Sequence, residues 1–102
     1  MRLDELTSAD FIRHLHQPFR ITLEGVAPID LELIDVAVYE GDQNAATGNR
    51  KPFSLLFLGP VSNHYLLQHT YHVENEQMGL LDLFIVPLGP KEGRMQYEAV
   101  IG

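Results

Sequence analysis

Residues 68–88 read QHTYHVENEQMGLLDLFIVPL, two stretches of strand chemistry joined by the turn-forming residues Asn75 to Gly79. In the first stretch Thr70, His72 and Glu74 share one side while His69, Tyr71 and Val73 share the other, the period of two that belongs to a strand. The second, Leu80 to Leu88, returns as an apolar run. Downstream, Met95 to Ile101 pairs back through the polar turn Gly89 to Arg94. Upstream, Phe53, Leu55 and Phe57 share one face of a strand whose other face carries Leu56 and Leu58, so that strand is expected to be covered on both sides and to lie near the middle of the structure. Gly59-Pro60 reads as its end, with Tyr65, Leu66 and Leu67 beyond it plugging an end of the core. This is the pattern of an antiparallel β meander.

The first half extends the pattern. Thr7 is a good helix N-cap with Asp10 at the third following position, which predicts a short helix from about Ser8 to His16, stopped by Pro18. Its apolar face is Phe11, Ile12 and Leu15, joined by Leu6. From Phe19 the period becomes two: Phe19, Ile21 and Leu23 point inward, Gly25 to Pro28 turn, and Ile29, Leu31 and Leu33 continue the alternation. The phase then slips, because Ile34, Val36 and Val38 take over the inward role. One inserted residue near Leu33 to Asp35 accounts for this, a β-bulge that lets a small sheet curve and close. The expected fold is mainly β (α+β by strict count), with about six antiparallel strands in a small barrel or sandwich and one short N-terminal helix. Glu40 to Lys51, EGDQNAATGNRK, has no apolar period and reads as the longest loop. The strings LLFLGP and FIVPLGP, ending at Pro60 and Pro90, are taken as convergent use of Gly-Pro to terminate strands rather than as a repeat.

Composition narrows the possible roles. With 102 residues and 45% hydrophobic content, residues 1–102 form one domain that buries roughly 60 to 70% of its unfolded surface. Fourteen acidic against seven basic residues give a net charge of −7, which repels a nucleic-acid backbone. The N-terminus carries acids early and lacks the apolar core of an export signal. Leu80 to Leu88 is interrupted by Asp82 and Pro87 and is far shorter than the ~20 residues that span a bilayer. A cytoplasmic location is expected, and the absence of cysteine agrees with it.

No side-chain pattern announces catalysis. The chain has no phosphate loop and no nucleophile beside an evident base, so a non-enzymatic role is expected, with no catalytic or cofactor-binding residue assigned. Five histidines raise the question of a metal. His14 and His16 lie two apart on a predicted helix, and His69 and His72 fall on opposite sides of a predicted strand, so neither spacing chelates locally. His64 follows no motif, and no metal ligand is assigned. The carboxylates Asp30, Glu32, Asp35, Asp82 and Glu98 fall mostly on polar strand faces. Tyr71 with His69, and His72 with Glu74, are ordinary neighbours on a sheet. The adjacent basic pair Arg50-Lys51 reads first as a solubilising feature of the long loop, and these are the two residues named as candidate partner contacts.

The chain resembles a family of uncharacterised bacterial single-domain proteins of this length, a domain of unknown function. The resemblance rests on LTSADFIRHLHQPFRI, KPFSLLFLGP, QHTYHVENEQMGLLDLFIVPLGP and the closing MQYEAVIG, in this order and spacing. It implies a short helix followed by a β-rich remainder, and a small accessory of phage-tail-like fibre or collar assembly. No activity or site residue comes with it. Residues and resemblance together predict a protein-interaction or assembly module with a protein partner or with itself. A small-ligand-binding barrel is the alternative, and an enzyme using a His/carboxylate cleft comes last.

Overall fold

The computed structural model describes residues 3–39, 51–62 and 64–102. A 3₁₀ turn, Leu3–Glu5, leads into helix α1, Ser8–Ile12, followed by strands β1 (Pro18–Ile21), β2 (Ile29–Val38), β3 (Phe53–Val61), β4 (His69–Asn75), β5 (Gly79–Lys91) and β6 (Arg94–Ile101). The strands close into a barrel in the order β1-β2-β3-β6-β5-β4, and every pairing is antiparallel. Barrel rather than sandwich is thereby decided. Closure pairs β1 with β4, the first and last strands of that order.

The bulge falls where the phase slip placed it. Leu33 lies opposite Phe57 and Asp35 opposite Leu56, leaving Ile34 as the extra residue. Beyond it Val36 packs against the core, while Val38 is half exposed. Phe53, Leu55 and Phe57 of β3 are fully buried inside the barrel, and closure gives β3 no more central a place than any other strand. A six-stranded barrel is narrower than the eight-stranded kind whose interior side chains just fill, and here Phe19, Leu31, Leu33, Val73, Leu83, Ile85 and Ala99 complete the packing. Phe11 of α1 caps one end, with its ring 5.7 Å from Phe53 and 6.5 Å from Phe19.

Several boundaries differ from expectation. The helix stops at Ile12 rather than His16: the amides of His14 and Leu15 donate three residues back, to Phe11 and Ile12, tightening the chain into turns. His16 then takes a left-handed φ of 69° and its N–H donates to the Leu33 carbonyl at 2.7 Å, which starts the β1–β2 contact. Ile12, assigned to the inner face, is 47% exposed. Neither Gly-Pro ends a strand. β3 runs on to Val61 and β5 to Lys91, both with a register shift against β6: Leu58 and Gly89 oppose Gln96 from its two sides. Bulges tolerate a proline, which cannot donate to a regular ladder. Gly59 is needed for closeness, since a Cβ there would lie 3.1 Å from the Tyr97 ring and 3.4 Å from the Met95 carbonyl. The turn after β5 shrinks to two residues, Glu92 (φ 52°) and Gly93 (φ 81°), the pair of positive φ values of a type I′ hairpin.

Closure is thinnest between β1 and β4, where only Arg20 with Glu74 and Ile21 with Val73 are paired. The buried Asn75 extends this seam by side chain. Its amide donates to the Pro18 carbonyl and to Gln17 Oε1, both at 3.2 Å, while its Oδ1 accepts the N–H groups of Gln77 and Met78 at 3.0 Å. One residue thus shapes the β4–β5 turn and ties it to the start of β1. Among the described residues no helix is long and apolar enough to cross a membrane.

Candidate functional site

The antiparallel order sorts the connections to two ends of the barrel. The helix, the β4–β5 turn and the C-terminus of β6 share one end; the 22–28 connection, residues 62–68 and the β5–β6 turn share the other. Lys51, at the foot of β3, is exposed at the helix end. The other half of the expected contact pair, Arg50, lies outside the described residues, as does the rest of the long loop from Glu40.

The histidines are dispersed. His14 Nδ1 bonds Gln17 Oε1 at 3.0 Å, and His16 Nδ1 bonds Glu32 Oε2 at 3.1 Å. His72 Nδ1 pairs with Asp82 across β4 and β5 on the exposed outer face, so its partner is Asp82 and not the expected Glu74. His69 meets Tyr71 edge-on with ring centroids 5.4 Å apart. The His64 amide donates to Ser62 Oγ. Among the described residues no three His, Asp or Glu side chains are grouped to hold a metal ion.

Charged side chains collect on the outer face over β1 and β2. Arg20 grips Asp30 with two bonds, Nε to Oδ1 at 2.9 Å and Nη2 to Oδ2 at 3.3 Å, and this holds the Asp30 carboxyl below its ordinary range. Arg94 donates from Nε to the Gly59 carbonyl at 2.6 Å and reaches toward Glu32 at 3.6 Å. An open groove of about 450 Å³ runs beside this network, lined by Pro18, Arg20, Asp30, Glu74, Asn75, Glu76 and Gly79. It exists because β1 is four residues long between longer neighbours. The groove lies outside the barrel, and its arginine already has a carboxylate partner.

The end opposite the helix has a different chemistry. Leu66 is the only member of the expected Tyr65-Leu66-Leu67 plug that is buried. Its N–H donates to the Tyr97 hydroxyl at 2.9 Å, and the Tyr71 hydroxyl donates to the next carbonyl, Leu67, at 2.6 Å. Burial pushes both phenols above their ordinary pKa. With the backbone clamped this way, the neighbours of Leu66 must point outward: Tyr65 is 56% exposed and Leu67 71%. Val61, opposite Arg94 and touching Gly93, is 78% exposed, and Leu88, inside the bulge that faces Tyr97 and Gln96, is 51% exposed. All four belong to the end of the barrel that Leu66 closes. Residues 61–72 and 84–91 contain no Asp or Glu, in a chain that has fourteen. The apolar character of Tyr65 and Leu67 was legible, but their outward direction was not, since it depends on the Tyr71 and Tyr97 hydroxyls.

The family model of a domain of unknown function, DUF6916, matches residues 6–101. No curated protein and no solved structure matches the chain.

Proposed function

The chain belongs to the DUF6916 family of domains of unknown function, and from that premise we propose that it is a non-catalytic protein-interaction module, an accessory of assembly. The observation that carries this reading is the barrel end opposite the helix, where Val61, Tyr65, Leu67 and Leu88 stand exposed on segments, 61–72 and 84–91, that hold no Asp or Glu. Large apolar side chains gathered on one surface mark contact sites in soluble domains. The interior favours this role over that of a ligand carrier, because phenylalanines and branched aliphatics occupy it. A net charge of −7 speaks against nucleic acid as the partner. A place beside the fibre or collar proteins of a phage-tail-like particle, which the family resemblance implies, is one setting for such a module.

The test is affinity capture of the tagged protein from its host lysate, beside Leu67→Asp and the double variant Arg50→Ala, Lys51→Ala. Stoichiometric capture lost in Leu67→Asp supports contact at the end opposite the helix. Loss only in the double variant moves the contact to the helix end. Capture of nothing, with a small molecule retained in native mass spectrometry, replaces this reading with the carrier.

A further inference from the structure

We infer that the barrel end opposite the helix docks on a second copy of this chain, forming a weak two-fold dimer. The inference rests on the interaction reading above and adds the identity of the partner.

Three observations converge on it. The first is charge. Two molecules of net −7 repel one another over most of their surfaces, and the repulsion is least where carboxylates are absent. Residues 61–72 and 84–91, with the exposed Val61, Tyr65, Leu67 and Leu88, supply that surface. The two carboxylates in the turns at this end are Glu24 and Glu92. A strongly basic partner would instead be drawn to the carboxylates elsewhere on the molecule, so the neutral end is matched by a surface that is itself neutral and apolar.

The second is the nature of the strand margins. β4 pairs with β5 only as far as Ile85, and β2 pairs with β3 only as far as Leu58. The last residues of β3 and β5 therefore extend past their outer neighbours and pair with β6 alone. These two margins carry Pro60 on β3, and Pro87 and Pro90 on β5. Proline lacks the N–H that strand addition needs, so growth of the sheet into an adjacent molecule is blocked on both sides. Contact must be made by side chains, face against face, which favours a closed pair over an open fibre.

The third is self-complementarity. Lys91 and Glu92 are adjacent and exposed at the hairpin tip on the rim of the patch. Opposite charges side by side on a rim can each meet the other's counterpart when two copies are related by a two-fold axis, because such an axis brings the same patch against itself. Four principal apolar side chains per copy place the contact toward the small end of specific interfaces, below roughly 1,200 Å² in total, where association is weak.

Sedimentation of the untagged protein over a range from micromolar to about millimolar tests this, with dissociation expected on the order of 10 to 100 µM. The weight-average mass should rise toward that of a dimer. Leu67→Asp, which adds a carboxylate at a solvent-facing position, should remain a monomer throughout, with an unchanged circular dichroism spectrum and melting temperature. Lys51→Glu, at the opposite end, should associate like the parent. A monomeric parent over the whole range, or equal association by Leu67→Asp, overturns the dimer. If the parent is monomeric yet captures another protein that Leu67→Asp loses, the interaction reading stands and only the second copy is wrong. A monomer that captures nothing overturns both.

Discussion

At the scale of single residues, the two tyrosines and Gly59 carry the most specific structural duties. Tyr97→Phe leaves the buried Leu66 N–H without its acceptor, a loss of about 1–3 kcal/mol by denaturant titration, accompanied by faster amide exchange at Leu66. Gly59→Ala forces the Tyr97 ring or the Met95 carbonyl aside, and overpacking of this kind costs about 1–3 kcal/mol. If Gly59→Ala leaves the denaturation midpoint unchanged, the close approach has no energetic role. The carboxylates set the response to acid. Asp10 is held below its ordinary pKa first by the Thr7 N–H, which it accepts at 2.8 Å, and Asp30 by the Arg20 guanidinium. Both pKa values are lower folded than unfolded. Their stabilisation is therefore present above the unfolded carboxylate value, near pH 4, and is lost as pH falls through the folded values. In urea titrations, Asp30→Asn should be less stable than the parent at pH 7, and the difference should shrink as pH falls through the folded-state pKa of Asp30.

At the scale of elements, the α1-to-β1 passage and the β4–β5 turn depend on one another through Asn75. Asn75→Ala removes the acceptor for two turn amides and the donor to Pro18 and Gln17 at once. The expected cost is about 2 kcal/mol or more, with the largest rise in amide exchange at Gln77, Met78 and the β1–β4 seam. Exchange confined to the turn would show that Asn75 does not hold the seam. The bulge in β2 was legible because a phase slip moves inward residues from odd to even positions, and only an inserted residue reconciles both runs with one buried face. The helix end was not legible. Pro18 limits how far a helix can run, yet the chain leaves helical geometry earlier, because His16 must turn left-handed to bring its N–H to Leu33. The Gly-Pro strings misled for a related reason: a proline stops a regular ladder, but Pro60 falls in the irregular stretch between Leu58 and Val61, and Pro90, opposite Met95, lies where β5 pairs with β6 alone.

At the scale of the whole molecule, most contacts join residues far apart along the chain, and closure joins Arg20 to Glu74 and Ile21 to Val73. Such topologies fold in milliseconds to seconds, and stopped-flow refolding should fall in that range rather than in microseconds. Phe57→Ala, at a fully buried position in β3, should cost about 3–5 kcal/mol, a large share of the 5–15 kcal/mol typical of a domain. The proposed interaction surface also belongs to this scale. Its members, Val61, Tyr65, Leu67 and Leu88, come from three separate segments, and Arg50 and Lys51 were preferred in the sequence because adjacent charges are visible locally. The sequence by itself determined the strand-rich class, the short capped helix, the position of the bulge and the absence of acids from residues 61–72 and 84–91, because periodicity, capping and charge are properties of neighbours along the chain. Only the tertiary structure decided that the sheet closes, that Leu66 turns in while Tyr65 and Leu67 turn out, and that four distant apolar residues share one end. Those outcomes depend on strand order and on hydrogen bonds between residues as far apart as Leu66 and Tyr97, which no local pattern encodes.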